Sequence, residues 1–222
     1  MNNEIQEKLI GKIQQLYPDV KKEDVLFSYC PYRVCPVGAH IDHQKGQVTG
    51  FAINYGITIG YVPSNNHFFE ATSLNFDGLK GDSILDISEK QNDWADYLRG
   101  TVKILHEKYG IDKGIYCVIN GSLPIGGLSS SAAIIISFLN AICNVNGISL
   151  SKEEIIKLSQ EVENKFVGVN SGILDQSCEL LSKKNHLLFL DTKDGSYKLI
   201  SQNEKMKDYR IGIIFSGVKR TL

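Results

Sequence analysis

The segment Ser122-Leu123-Pro124-Ile125-Gly126-Gly127-Leu128-Ser129-Ser130-Ser131 opens straight into an apolar helical stretch, 132–145, and this junction constrains the fold more than any other feature. Glycines let a backbone approach an anion closely, and a helix N-terminus offers unpaired N–H groups with a positive dipole end. Three serines add hydroxyls that can bond phosphate oxygens or enter a Mg²⁺ shell. The loop is not a Walker A motif, because no Gly-Lys-Ser/Thr follows the glycines, and the HRD and DFG elements of protein kinases are missing. Taken alone, a glycine-rich turn with a serine N-cap accounts for the segment equally well.

The rest of the chain supplies the setting. Apolar residues at helical spacing (Ile5, Leu9, Ile13, Leu16) predict a helix over 4–17. Strands are expected at 25–34, 47–62, 67–73, 114–121, 186–191 and 209–216, where β-branched and aromatic residues concentrate. Further helices are expected at 93–109, with Asp93 as N-cap and Gly110 as stop, at 173–183, and from the Ser151 capping box to about Phe166. This mixture of strands and helices reads as α+β (mixed α/β).

With 222 residues, 42% apolar and 22% charged, the chain fits one large domain or two small ones and excludes disorder, collagen and coiled coil. A net charge of −1 gives no global attraction to nucleic acid or an anionic membrane, so an anionic ligand needs a local site. Five cysteines, odd in number and without CxxC pairing, read as buried reduced thiols. The N-terminal helix lacks the layout of a secretory signal, and the apolar stretch 132–143, which contains Ser137 and Asn140, is too short to span a bilayer. A cytoplasmic protein is expected, and no signal fixes its oligomeric state.

Two further constellations carry chemistry. Arg33, His40, Asp42 and His43 fall within eleven positions on a segment turned by Pro36 and Gly38, the kind of strand-end loop where binding sites sit. As metal ligands the two histidines are weak, since no clear third ligand accompanies them. Glu163 and Asp175 flank the Gly168–Gly172 turn and can converge across it, giving one Mg²⁺ ligand and one base beside a phosphate loop. Carboxylates at helix ends are more commonly just solvated charges.

Together the three constellations resemble the galactokinase branch of the GHMP small-molecule kinases over essentially the whole chain. The family's first motif, Gly-Arg-x-Asn-x-x-Gly-Glu-His-x-Asp-Tyr, is similar to Tyr32-Arg33-Val34-Cys35-Pro36-Val37-Gly38-Ala39-His40-Ile41-Asp42-His43. Its Gly-Ile-Met-Asp-Gln block resembles Gly172-Ile173-Leu174-Asp175-Gln176, and the tail Ser216-Gly217-Val218-Lys219-Arg220 resembles the strand after which the family's C-terminal domain begins. The resemblance implies sugar-1-phosphorylation by ATP with Mg²⁺. Asp175 is then the base or charge partner facing the anomeric hydroxyl, and Arg33 sits beside it and stabilises the transferred phosphoryl group. Gly126, Gly127, Leu128, Ser129 and Ser130 cradle the nucleotide phosphates, while Ser131 and Glu163 hold Mg²⁺. His40, Asp42 and Gly172 line the sugar site. Trp94 matches an aromatic of the nucleotide pocket, although a half-buried core tryptophan is the plainer reading. The 222 residues then form the N-terminal domain, with the C-terminal domain expected to be missing after Leu222 and the fragment alone weakly active or inactive.

Two departures from the family pattern bear on function. The loop between Pro124 and Leu128 is one residue shorter than usual, which keeps open a galactokinase-like regulator that binds sugar and ATP without catalysis. Ala39 stands where galactokinases carry a glutamate near carbon 6 of the sugar; that glutamate would repel a carboxylate there, and alanine would not. The variant is very similar to plant galacturonokinases, so galacturonate is expected over galactose.

Overall fold

The computed structural model describes residues 2–87, 89–123, 126–203, 205, 210–215 and 217. Among them, seven strands form one mixed sheet: β1 (Leu26–Val34), β2 (Gln47–Ser64), β3 (Phe68–Ser73), β4 (Leu79–Ser83), β5 (Gly114–Gly121), β6 (His186–Asp191) and β7 (Tyr197–Ser201). Their order is β4-β3-β5-β2-β6-β7, with β1 paired to β2 outside that path. Only β3 and β5 run parallel; the other pairs are antiparallel.

Alternation along the strands sorts side chains to the two faces. Val62 and Val118 pack with Leu9, Ile10 and Ile13 of α1 (Asn3–Leu16), whose apolar stripe follows the expected spacing. Their neighbours Ile59, Tyr61, Cys117 and Ile119 point to the opposite face, into the main core under the other helices. That core is centred on α3 (Ser130–Val145), whose side chains from Ala132 to Leu139 are all buried. A helix apolar on every side must be enclosed, so packing fixes α3 against the sheet and points its N-terminus at the serine-rich loop. Around it lie α2 (Asp96–Tyr109), α4 (Lys152–Glu161) and α5 (Leu174–Leu181).

Three expectations are corrected. The helix expected from residue 93 begins at Asp96, because Asp93 spends its carboxylate on the Ala95 N–H and on Arg99 instead of capping the helix. The helix expected from Ser151 to about Phe166 is α-helical only to Glu161 and continues as a π-helical turn, Val162–Val167. The Ser151–Glu154 capping box at its start is present. The strand expected at 209–216 does not form over 210–215; these residues have no ladder partner and are exposed, with Ile214 92% exposed. Residues 209, 216 and 218–220, which complete that strand and its motif, lie outside the described residues, as do Pro124 and Ile125. Among the described cysteines, Cys30, Cys117, Cys143 and Cys178 are buried and Cys35 is half-buried, and all five are free thiols. Among the described residues no helix is long and apolar enough to cross a membrane.

Candidate active site

Arg33 comes to the site from the end of β1. Its pairing with β2 slips in register between Pro31 and Arg33, a bulge that re-aims the side chain. Arg33 Nε donates to Asp175 Oδ1 at 2.7 Å, Nη1 donates to the Gly127 carbonyl at 3.0 Å, and the Arg33 N–H donates to the Leu128 carbonyl at 3.3 Å. One residue thus ties β1, the serine-rich loop and the first turn of α5 together. Burial alone would lower the Arg33 guanidinium, but the Asp175 contact outweighs it and holds the group above its ordinary value. Asp175 lies in the first turn of α5, where the helix dipole also favours negative charge.

Asp42 reaches the same place from the segment after β1, with Oδ2 accepting the Leu174 N–H at 3.4 Å. Gly172 is required for this approach, since a Cβ there would overlap the Asp42 carboxylate. Ala39 and His40 are exposed on the same segment, and His43 lies 3.8 Å from Asp42.

Beside the loop, Glu163 is buried. Its Oε2 accepts from Ser171 Oγ at 2.6 Å and from Gln176 Nε2 at 2.8 Å, and the Ser131 hydroxyl faces the same carboxyl. Burial pushes the Glu163 carboxyl up; the Ser171, Ser131 and Gln176 contacts oppose this, and the charge of Asp175 adds to it. The π-helical turn supplies the geometry: both the Gly168 and the Val169 N–H donate to the Glu163 carbonyl, closing a widened turn that ends at Gly168. Such widened turns recur where a side chain has to be re-aimed. Among the described residues no three His, Cys, Asp or Glu side chains form a metal cluster. One carboxylate and one hydroxyl at a helix N-terminus nevertheless suit a hard cation whose remaining ligands are phosphate oxygens and water.

In the loop itself, Gly126 and Gly127 are exposed with positive φ, Leu128 and Ser129 are buried, and Ser130 starts α3. Ser129 adopts left-handed backbone angles, φ 63° and ψ 42°. The length departure between Pro124 and Leu128 falls partly outside the described residues. Trp94 packs its ring on the main core, and its buried Nε1–H has no partner.

Arg33, Asp175, the loop, Ser131 and Glu163 are therefore drawn together, with Asp42 and Gly172 alongside. Sequence reading missed Ser171, Gln176 and the Gly127 carbonyl. Gln176 was signalled by its place directly after Asp175; the carbonyl has no sequence signal at all.

Residues 96–183 match the family described as GHMP kinases N terminal domain. The chain is 36% identical over 221 residues to a galacturonokinase of Arabidopsis thaliana, covering 90% of this chain and 52% of that protein. To a galactokinase of Thermosipho africanus it is 37% identical over 193 residues, covering 86% and 53%. The chain spans about half the length of the curated relatives it matches. Among solved structures, Lactococcus lactis galactokinase complexed with galactose superposes with a TM-score of 0.83 at 27% identity, covering 89% of this chain and 52% of that one. The Methanococcus jannaschii mevalonate kinase superposes with a TM-score of 0.67 at 20% identity, covering 80% and 56%, and shares the fold.

Proposed function

We propose that this chain, whose residues 96–183 match the N-terminal domain of the GHMP kinases, is the sugar- and ATP-binding half of a sugar-1-kinase acting in the cytoplasm on galacturonate in preference to galactose. The observation that carries the reading is the Arg33 bridge, which joins the Asp175 carboxylate to the glycine-serine loop. A phosphoryl transfer needs an acceptor for the sugar proton and positive charge beside the migrating group, held in fixed register. Arg33 and Asp175 meet both needs at 2.7 Å.

In this mechanism the anomeric oxygen forms a bond to the γ-phosphorus of ATP, the bond to the ADP oxygen breaks, and the hydroxyl proton passes to Asp175. Arg33 holds Oδ1, which leaves Oδ2 to take the sugar proton. The same guanidinium is near enough to the loop to stabilise charge on the transferred group. Gly126 to Ser130 cradle the phosphates, and the orphaned Nε1–H of Trp94 supports a place beside the nucleotide base. Ser131 and Glu163 would hold Mg²⁺, which neutralises phosphate charge when bound. Asp42 and His40 receive sugar hydroxyls.

Ala39 supports the choice of substrate. Replacing a carboxylate near carbon 6 with alanine removes a like-charge repulsion of about 1–4 kcal/mol toward a uronate, depending on the local dielectric. A sugar panel with the full-length protein tests the reading. Galacturonate is expected to outperform galactose, and Ala39→Glu to move the preference toward galactose by at least about tenfold. Asp175→Asn is expected to abolish turnover while nucleotide binding persists. A wild type that binds sugar and ATP yet never turns over refutes the kinase and identifies a regulator. A wild type that prefers galactose refutes the uronate.

A further inference from the structure

α5 carries a second carboxyl group one turn beyond Asp175. Glu179 is 6% exposed, and its Oε2 accepts the Cys30 thiol at 3.6 Å. Its other oxygen, Oε1, is buried with no hydrogen-bond partner. The Ser129 hydroxyl, itself buried and without a partner, faces this carboxyl. Ser129 is the residue at which the serine-rich loop turns into α3, and it does so in the left-handed region, where a side chain is disfavoured and something must hold it. Two orphaned polar groups at such a turn, each the partner the other lacks, are costly unless they serve one another.

We propose that Glu179 is a positioning residue of the serine-rich loop: its carboxyl group is the hydrogen-bond partner of the Ser129 hydroxyl and fixes the left-handed turn that aims the loop at its ligand. The inference rests on the reading of residues 126–131 as a phosphate loop. Glu179 does this as a neutral acid. Cys30, Tyr32 and Arg33 face it from β1, and Asp175 and Cys178 from its own helix. Arg33, the one cation among them, spends its Nε and Nη1 donors on Asp175 and the Gly127 carbonyl. Burial, reinforced by the charge of Asp175, pushes the Glu179 carboxyl up, and Arg33 and the Cys30 and Ser129 contacts offset this only in part. A neutral carboxyl donates its O–H to Ser129 Oγ and puts no charge behind the loop. A carboxylate would instead draw the serine proton inward and place negative charge behind a loop that receives phosphates.

The test uses the full-length protein with Glu179→Gln, Glu179→Leu and Ser129→Ala, and reads kcat and both KM values together with the thermal midpoint. Gln, neutral and able to donate, is expected to stay within about twofold of wild type. Leu is expected to raise the KM for ATP about tenfold, the loss of one hydrogen bond, with the KM for sugar unchanged. Ser129→Ala should reproduce that rise, and the double variant with Leu should be no worse than Ser129→Ala alone. The proposal is overturned if Leu leaves the KM for ATP within about twofold, if Gln is as impaired as Leu, or if the Leu and Ala effects add. Should the Leu protein not fold, Glu179→Gln on the Ser129→Ala background decides the matter: coupling supports the proposal and additivity overturns it. A wild type that binds ATP without sugar-dependent turnover overturns the kinase reading alone, and the calorimetric ATP affinities of the same variants then decide this one. A wild type that binds no nucleotide overturns both.

Discussion

The molecule contains two arginine–carboxylate constellations of the same chemistry and opposite character. Arg33 meets one carboxylate, Asp175, whose side chain remains 27% exposed, and gives its second arm to a loop carbonyl. Arg99, 3% exposed on α2, meets three: Asp82 at 2.6 Å, Asp93 at 2.7 Å and Asp96 at 2.8 Å. The second cluster is more fully bonded, although Asp82 keeps 31% exposure. Asp96 also caps the N–H groups of Gln91, Asn92 and Asp93, while Asp93 takes the Ala95 N–H and Lys80. It locks the turn that carries Trp94 onto α2 and leaves Asp93 and Asp96 little capacity for anything else. The Arg33 pair engages Asp175 through Oδ1 and leaves that side chain 27% exposed. A carboxylate can accept a substrate proton only where the fold has declined to satisfy it fully, so incomplete satisfaction separates the proposed catalytic pair from the structural one.

That contrast predicts that the two arginines fail in different currencies. Arg33→Met is expected to lower kcat/KM by about 10²–10³ in the full-length protein, the loss of an electrostatic donor at the reacting centre. Its unfolding free energy should change by about 1 kcal/mol or less, the usual value of a partly exposed pair. Arg99→Met strands the buried Asp96 beside the part-exposed Asp82 and Asp93 and is expected to cost about 3 kcal/mol of stability, read from denaturant midpoints. The surviving folded protein should keep the kcat of the wild type. If Arg33→Met instead destabilises as much as Arg99→Met, the open site is structural and the comparison collapses.

The strength of the sequence reading differed between the same two regions. Arg33, Ser131, Glu163 and Asp175 sit in short segments with turn residues and chemistry-bearing neighbours, and each was legible before the fold was known. The Arg99 cluster was not. Its acids come from β4, from the turn before α2 and from α2 itself, and no spacing announces their convergence. β4 and β7 were missed for a related reason: Leu-Lys-Gly-Asp-Ser and Tyr-Lys-Leu-Ile-Ser are short edge strands, and β7 is exposed throughout. Strand formation there is decided by the partner ladder and not by local composition. The π-helical turn escaped because its widening depends on Gly168 and Val169 both reaching the Glu163 carbonyl, a tertiary outcome of the following loop. Glu179 did leave a signal, a lone acid between Cys178 and Leu180 on the apolar side of a helix.

A last prediction sets the two regions against each other through pH. Glu179 titrates higher folded than unfolded, because burial and the neighbouring Asp175 charge disfavour its carboxylate. Its contribution to stability is therefore complete below the ordinary value of 4.5 and is lost as pH rises toward its folded value. Asp93 behaves in the opposite sense. Burial alone would raise it, but the Arg99 and Lys80 bonds outweigh burial and hold it below 3.8, so its contribution is present above that value and lost as pH falls. Relative to Glu179→Gln, the wild type should lose about 1.4 kcal/mol per pH unit from roughly pH 4.5 upward until Glu179 ionises in the folded state. Relative to Asp93→Asn it should lose stability in the other direction, only on acidification below about pH 4, and by less, because the pair is partly exposed. Urea midpoints of the three proteins between pH 3 and pH 8 measure both slopes. Parallel curves for wild type and Glu179→Gln would mean that Glu179 is charged in the fold, and the neutral acid behind the loop would have to be given up.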